Sequence, residues 1–112
     1  MIDTLMIFAA GFGKRMQPIT NYIPKPLVPV AGKPMLYHAL DLAGHFPFKK
    51  IIINAHHLAN LIDAAVKRYV DLFKPAAQIQ VVFEERVLET AGGIKNAYHL
   101  FAHKDAIFSM NS

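Results

Sequence analysis

The sequence predicts an α/β fold, a parallel sheet covered by helices on both faces. Short, continuous apolar runs alternate with longer segments of helical spacing, and the joins are long enough for right-handed crossovers. Polar or glycine-rich residues also gather immediately after the apolar runs. In chain order the elements read β-loop-α-β-α-β-α-β. Ligands of such sheets bind beyond the carboxyl ends of the strands, which directs attention to residues 9–15, 54–57, 84–93 and whatever follows Met110.

Leu5-Met6-Ile7-Phe8-Ala9 is a continuous apolar run ended by Gly11, as in a strand buried on both faces. Five of the seven prolines lie from Pro18 to Pro34, a density at which a stiff extended loop with no regular element is expected. Met35 to Phe46 places Leu36, Ala39, Leu40 and Ala43 at helical spacing, with Pro34 at the first turn and Pro47 as the stop. Lys50 to Asn54 is a second buried strand built on Ile51-Ile52-Ile53. From about Ala59 to Phe73, Leu58, Leu61, Ile62, Ala65, Val66, Tyr69 and Phe73 form one helical stripe, with Asn60, Asp63, Lys67, Arg68 and Asp71 facing out. Ile79 to Phe83 is the third strand, Gly93 to Phe101 a third helix and Ala106 to Met110 a fourth strand.

A length of 112 residues allows one small domain, and 54% hydrophobic against 18% charged residues excludes intrinsic disorder. Charge below the usual ~25% suggests more apolar surface than so small a domain hides. A partner or further chain is expected to cover it, and exposed apolar surface can drive self-association. The longest apolar stretch, Leu5 to Phe12, falls far short of the ~18–20 residues of a spanning helix, so no membrane contact is expected. Asp3 in place of a basic amino-terminal region argues against a secretory signal, and the absence of cysteine removes disulfides and thiolate zinc sites. A cytoplasmic location is expected. The net charge of +4 is spread without a basic run longer than two, which gives no nucleic-acid patch. Within residues 1–33, however, Lys14, Arg15, Lys25 and Lys33 face one acid, Asp3. That local excess suits a compact polyphosphate, the plain alternative being solvated surface cations.

Four stretches could carry chemistry. In Ala9-Ala10-Gly11-Phe12-Gly13-Lys14-Arg15-Met16 the glycines let main-chain N–H groups approach an anion, and the adjacent cations can neutralise phosphate oxygens. The dinucleotide fingerprint fails at Met16 and the Walker A spacing fails as well, so a turn with two surface cations is the alternative. Pro24-Lys25-Pro26-Leu27 holds Lys25 on a backbone with little freedom, and a pre-positioned cation loses less entropy on meeting its ligand. In Leu88-Glu89-Thr90-Ala91-Gly92-Gly93-Ile94 small residues let a flat base or sugar lie against the main chain, although a simple Thr-capped helix start explains Thr90 too. Glu84 and Glu85 could accept from N–H groups of a base or be merely solvated. His56 and His57 invite a metal reading, but neighbours on extended chain point to opposite faces, and no Cys or further His stands at metal spacing.

Taken together and in order, Ala9 through Thr20, Pro24 through Met35, Asn54-Ala55-His56-His57 and Leu88 through Ala97 resemble the signature of the sugar-1-phosphate nucleotidylyltransferases. The last two stretches look most like the bacterial branch holding N-acetylmuramate-1-phosphate uridylyltransferases and mannose-1-phosphate guanylyltransferase-like proteins. The resemblance implies a Rossmann-like domain that joins a nucleoside triphosphate, with UTP favoured, to a sugar-1-phosphate. Pyrophosphate is released and Mg²⁺ assists. It implies that Ala9, Ala10, Gly11 and Gly13 cradle the nucleotide, that Arg15 holds the triphosphate, that Lys25 neutralises charge during transfer, and that Gly92 borders the base or sugar, where the carboxylate of Glu84 could accept from a base. The family's Asn-x-Asp motif, whose Asp binds the metal, would put that Asp directly after Ser112. Residues 1–112 are therefore expected to be the amino-terminal, nucleotide-binding part of a single truncated domain, inactive alone. A nucleotide-binding module without chemistry is the rival reading, and an interaction domain using its apolar surface is a weaker one.

Overall fold

The computed structural model describes residues 3–9, 17–84 and 108–111. Six strands and two helices occur among them: β1 (Thr4–Phe8), β2 (Pro29–Val30), β3 (Lys33–Pro34), α1 (Met35–Ala43), β4 (Lys50–Ala55), α2 (Ala59–Phe73), β5 (Gln78–Phe83) and β6 (Phe108–Asn111). The helix expected from Gly93 to Phe101 lies outside the described residues.

Four strands form one sheet in the order β5-β4-β1-β6, and every neighbouring pair is parallel. Counted in chain order among themselves, these strands stand 3-2-1-4. The winding direction therefore reverses between β1 and β6, which is where doubly wound sheets open a crevice for ligands. Register aligns Phe8 with Asn54 on one side and with Asn111 on the other, while Asn54 faces Val82. The carboxyl ends of all four strands thus finish level, and the segments at Ala9, His56 and Glu84 leave the same edge.

Alternation explains which residues are buried. Leu5, Ile7, Ala9, Ile51, Ile53 and Ala55 share a core with Leu36, Tyr37, Leu40 and Ala43 of α1 and Ile62, Val66 and Tyr69 of α2. Both described helices therefore pack on one face of the sheet. On the opposite face Met6 and Ile52 are fully buried as well, so β1 and β4 are enclosed on both sides, whereas β5 at the edge is only partly buried. Among the described residues, Leu42, Phe46, Leu72 and Phe73 around the helices and Phe83 on β5 are more than half exposed. Burying a side chain such as Ile52 contributes about 1.5–3 kcal/mol relative to exposure, which explains why unbroken Ile-Ile-Ile and Leu-Met-Ile runs are confined to β4 and β1.

The proline-rich segment departs from expectation. Rather than an extended loop without regular structure, it contains two 3-10 turns, Ile19–Asn21 and Lys25–Leu27, and an antiparallel β2-β3 hairpin pairing Pro29 with Pro34 and Val30 with Lys33. A two-residue hairpin on the molecular edge leaves Pro without a ladder hydrogen bond to miss, and a 3-10 turn accepts a proline φ in its first positions. The hairpin turn, Ala31-Gly32, has φ of 51° and 84°, the positive pair of a type I′ turn. α1 keeps the whole apolar pattern but stops at Ala43, short of the Phe46 end expected, before Gly44, a poor helix former.

Candidate nucleotide site

The carboxyl edge of the sheet is organised by side chains of β4. Asn54 is 2% exposed, a buried amide that must be satisfied within the protein. Its Oδ1 accepts the Ala9 N–H at 2.7 Å, and the same N–H also reaches the Asn54 main-chain oxygen at 3.1 Å. Its Nδ2 lies 3.4 Å from each carboxylate oxygen of Glu84. The amide orientation follows from these partners, because an N–H needs the carbonyl end and a carboxylate needs the amino end. Three neighbouring strand ends are thereby tied sideways: Ala9 after β1, Asn54 on β4 and Glu84 after β5. The Glu84 N–H closes the ladder onto Ala55 O at 2.8 Å. Glu84 is thus a buried, hydrogen-bonded carboxylate at the ligand edge rather than a solvated one.

His56 and His57 diverge, His56 directly following β4 and His57 standing in the turn that leads into α2. His56 Nδ1 is 2.7 Å from the Glu84 carbonyl oxygen, and His57 Nε2 is 2.5 Å from that of Thr20. The second contact draws the proline-rich segment toward the same edge. Within that segment Lys25 is exposed between buried Pro24 and Pro26. Its 3-10 turn is closed by Leu27 N–H to Pro24 O at 2.9 Å and Val28 N–H to Lys25 O at 3.1 Å. Among the described residues its ammonium meets no carboxylate. Lys33, counted among the local cations, is differently placed. It is paired with Asp41 of α1, whose other oxygen accepts the Tyr69 hydroxyl at 2.8 Å, and so leaves the group available to a polyphosphate. The Lys33 ammonium and then the Tyr69 hydroxyl hold the Asp41 carboxyl below its usual range, while burial first, and Asp41 second, push the Tyr69 hydroxyl up.

Ala10, Gly11, Gly13, Arg15 and Gly92 lie outside the described residues. Among those described, the structure brings Ala9 and Glu84 together through Asn54, and docks the Lys25 segment beside them through His57. Sequence reading valued Asn54 only as part of a motif. The available signal was a polar residue closing an apolar strand. No three His, Cys, Asp or Glu side chains among the described residues gather as a metal site.

The fold defines a doubly wound α/β protein, a class whose ligands bind at the switch point of the sheet. Residues 4–112 match the family model described as nucleotidyl transferase, and the chain belongs to that family. It is 42% identical over 97 residues to the N-acetylmuramate alpha-1-phosphate uridylyltransferase of Caulobacter vibrioides, covering 85% of this chain and 39% of the relative. It is 30% identical over 108 residues to a mannose-1-phosphate guanyltransferase of Aspergillus fumigatus, covering 96% of this chain and 29% of the relative. The chain thus spans well under half the length of these relatives. Among solved structures, HddC from Yersinia pseudotuberculosis complexed with GMP-PN superposes with a TM-score of 0.77 at 26% identity, over 98% of this chain and 47% of that one.

Proposed function

We propose that the protein containing this chain transfers a nucleotidyl group from a nucleoside triphosphate, UTP in preference, to a sugar-1-phosphate. The observation that supports it best is the 42% identity to a sugar-1-phosphate uridylyltransferase, in a chain whose sequence carries the glycine-bearing segment directly after β1. A phosphate oxygen of the sugar-1-phosphate attacks the α-phosphorus, the bond to the β-phosphate oxygen breaks, and pyrophosphate leaves with the electron pair. No protein nucleophile is required, so the work is positioning and charge neutralisation. Gly11 and Gly13, with Ala9 and Ala10, would cradle the nucleotide through main-chain N–H groups. Arg15 would hold the triphosphate and the departing pyrophosphate, and Lys25 would neutralise charge as it develops. Glu84 and Gly92 would border the base or sugar. Mg²⁺, implied by the family resemblance, is proposed to accompany the triphosphate; the described residues supply no site for it, and no step here depends on it. Cytoplasmic location belongs to the same proposal.

Pyrophosphate release by the intact protein, measured for UTP, GTP, dTTP and CTP against a panel of sugar-1-phosphates, tests the reading. Highest kcat/KM with UTP supports it, and no turnover with any pair overturns it. Guanylyl transfer is the second reading, favoured by the 96% coverage of this chain in the match to a mannose-1-phosphate guanyltransferase. A preference for GTP with mannose-1-phosphate would replace the first reading by the second.

A further inference from the structure

We infer that Asn54, His56 and His57, at the carboxyl end of β4, are positioning residues that hold three ligand-facing segments in register. This inference rests on the nucleotidyl-transfer reading and deepens it. β4 stands between β1 and β5 in the sheet, with Asn54 opposite Phe8 and Val82. From there Asn54 grips the Ala9 N–H on one side and the Glu84 carboxylate on the other. His56 holds the Glu84 carbonyl, and His57 holds the Thr20 carbonyl. Thr20 is 1% exposed and opens the stiff stretch that leads, five residues later, to Lys25 between its buried prolines. The Ile19–Asn21 turn and Pro24 restrict the backbone between the two, the route by which a displacement at Thr20 would reach Lys25.

The chemistry makes the two histidines distinguishable. A carbonyl oxygen only accepts, so His56 donates from Nδ1 and His57 from Nε2, which fixes opposite tautomers for the pair as long as both rings are neutral. An Asn side chain places its amino nitrogen near the Nδ1 position, and a Gln side chain places its amino nitrogen near Nε2. The clamp at His56 is thus reproduced by Asn and lost with Gln, while the clamp at His57 is reproduced by Gln and lost with Asn. A pair that merely filled space or bound a metal would not sort in this crossed way.

The test is the crossed set of His56→Asn, His56→Gln, His57→Asn and His57→Gln in the intact protein. Each is measured for kcat and KM with the preferred substrate pair, for Tm, and for amide hydrogen exchange in peptides covering residues 17–28 and 78–84. His57→Asn is expected to lower kcat about tenfold, with the nucleotide KM changed less than about threefold, because misplaced charge is felt most in the transition state. It also opens exchange over residues 17–28, and His57→Gln restores both within about twofold. His56→Gln opens exchange over 78–84, and His56→Asn does not. Equal behaviour of Asn and Gln at both positions, in rate and in exchange, overturns the inference while leaving the transferase reading intact. If the unsubstituted protein turns over no substrate pair, the transferase reading fails separately, and the exchange pattern alone decides whether the frame exists.

Discussion

Lys25 and Lys33 lie in the same proline-rich segment and have different surroundings. Lys25 is exposed on a turn braced by two buried prolines, whereas Lys33 is held against Asp41. On the nucleotidyl-transfer proposal, Lys25→Ala and Arg15→Ala in the intact protein should each lower the rate on the order of 10²-fold, as when a preorganised charge is removed. A loss below about threefold would remove either from the catalytic group. Lys33→Ala should leave the rate within about twofold and lower stability by under about 1 kcal/mol, since the pair is half exposed and screened; a large rate loss would return Lys33 to the site. The Lys33-Asp41-Tyr69 chain also sets a pH response. Asp41 titrates below its usual value in the folded protein, so its contribution to stability is present above about pH 4 and is lost as pH falls through the folded value. Tyr69 titrates above its usual value, so its contribution is complete below about pH 10 and is lost at higher pH, where the unfolded chain ionises first. Tyr69→Phe should therefore cost about 1 kcal/mol near neutrality through the lost hydroxyl bond and reduce the further loss between about pH 9 and pH 11. Urea denaturation at both ends of that range measures it. Tyr37, also pushed up by burial, keeps part of the alkaline loss in the variant.

At the scale of elements, the strands and α2 were legible because their signals are local and redundant. The stripe predicted from Ala59 to Phe73 coincides with α2, and Ile62, Val66 and Tyr69 from it are buried. Leu61 and Phe73 from the same stripe remain 38% and 58% exposed, because only a neighbouring element decides how wide an apolar stripe is covered. The hairpin was not legible: proline restricts φ to values shared by extended chain, 3-10 turns and edge strands, and composition does not choose among them. Two of these elements end on residues whose side chains oppose the backbone. Ala31 has φ 51° in the hairpin turn, and Lys74 has φ 45° at the end of α2, where its N–H reaches Val70 O at 2.9 Å. Left-handed backbone is strained for residues with a Cβ. Ala31→Asn and Lys74→Gly should therefore each raise stability by about 0.5 kcal/mol or more, read as a shift of the denaturation midpoint at constant slope. A loss of stability at either position would contradict the turn or cap geometry described.

At the scale of the whole molecule, the strand order puts the switch point between β1 and β6 and leaves a different surface at the far end of the strands. There Phe46, Phe48, Tyr69, Phe73 and Ile79 are among the residues lining a cavity of about 350 Å³, with Tyr69 and Phe73 ring centroids 4.8 Å apart. Apolar surface of this kind favours association. Residues 1–112 alone should sediment as increasingly associated species as concentration rises, and Phe46→Ser with Phe73→Ser should weaken that trend; a concentration-independent monomer would count against it. The sequence by itself determined the alternation of strands and helices, the burial of β1 and β4, and the membership suggested by ordered glycine, proline and lysine motifs. Each is a property of neighbours along the chain, where periodicity and backbone restriction act. Only the tertiary structure decided that Lys33 is tied to Asp41, that Glu84 is a buried partner of Asn54, and that His56 and His57 are anchors. Those outcomes depend on which atoms parallel register and helix docking bring within hydrogen-bond reach across gaps of up to 45 residues, and spacing along one chain segment does not encode such distances.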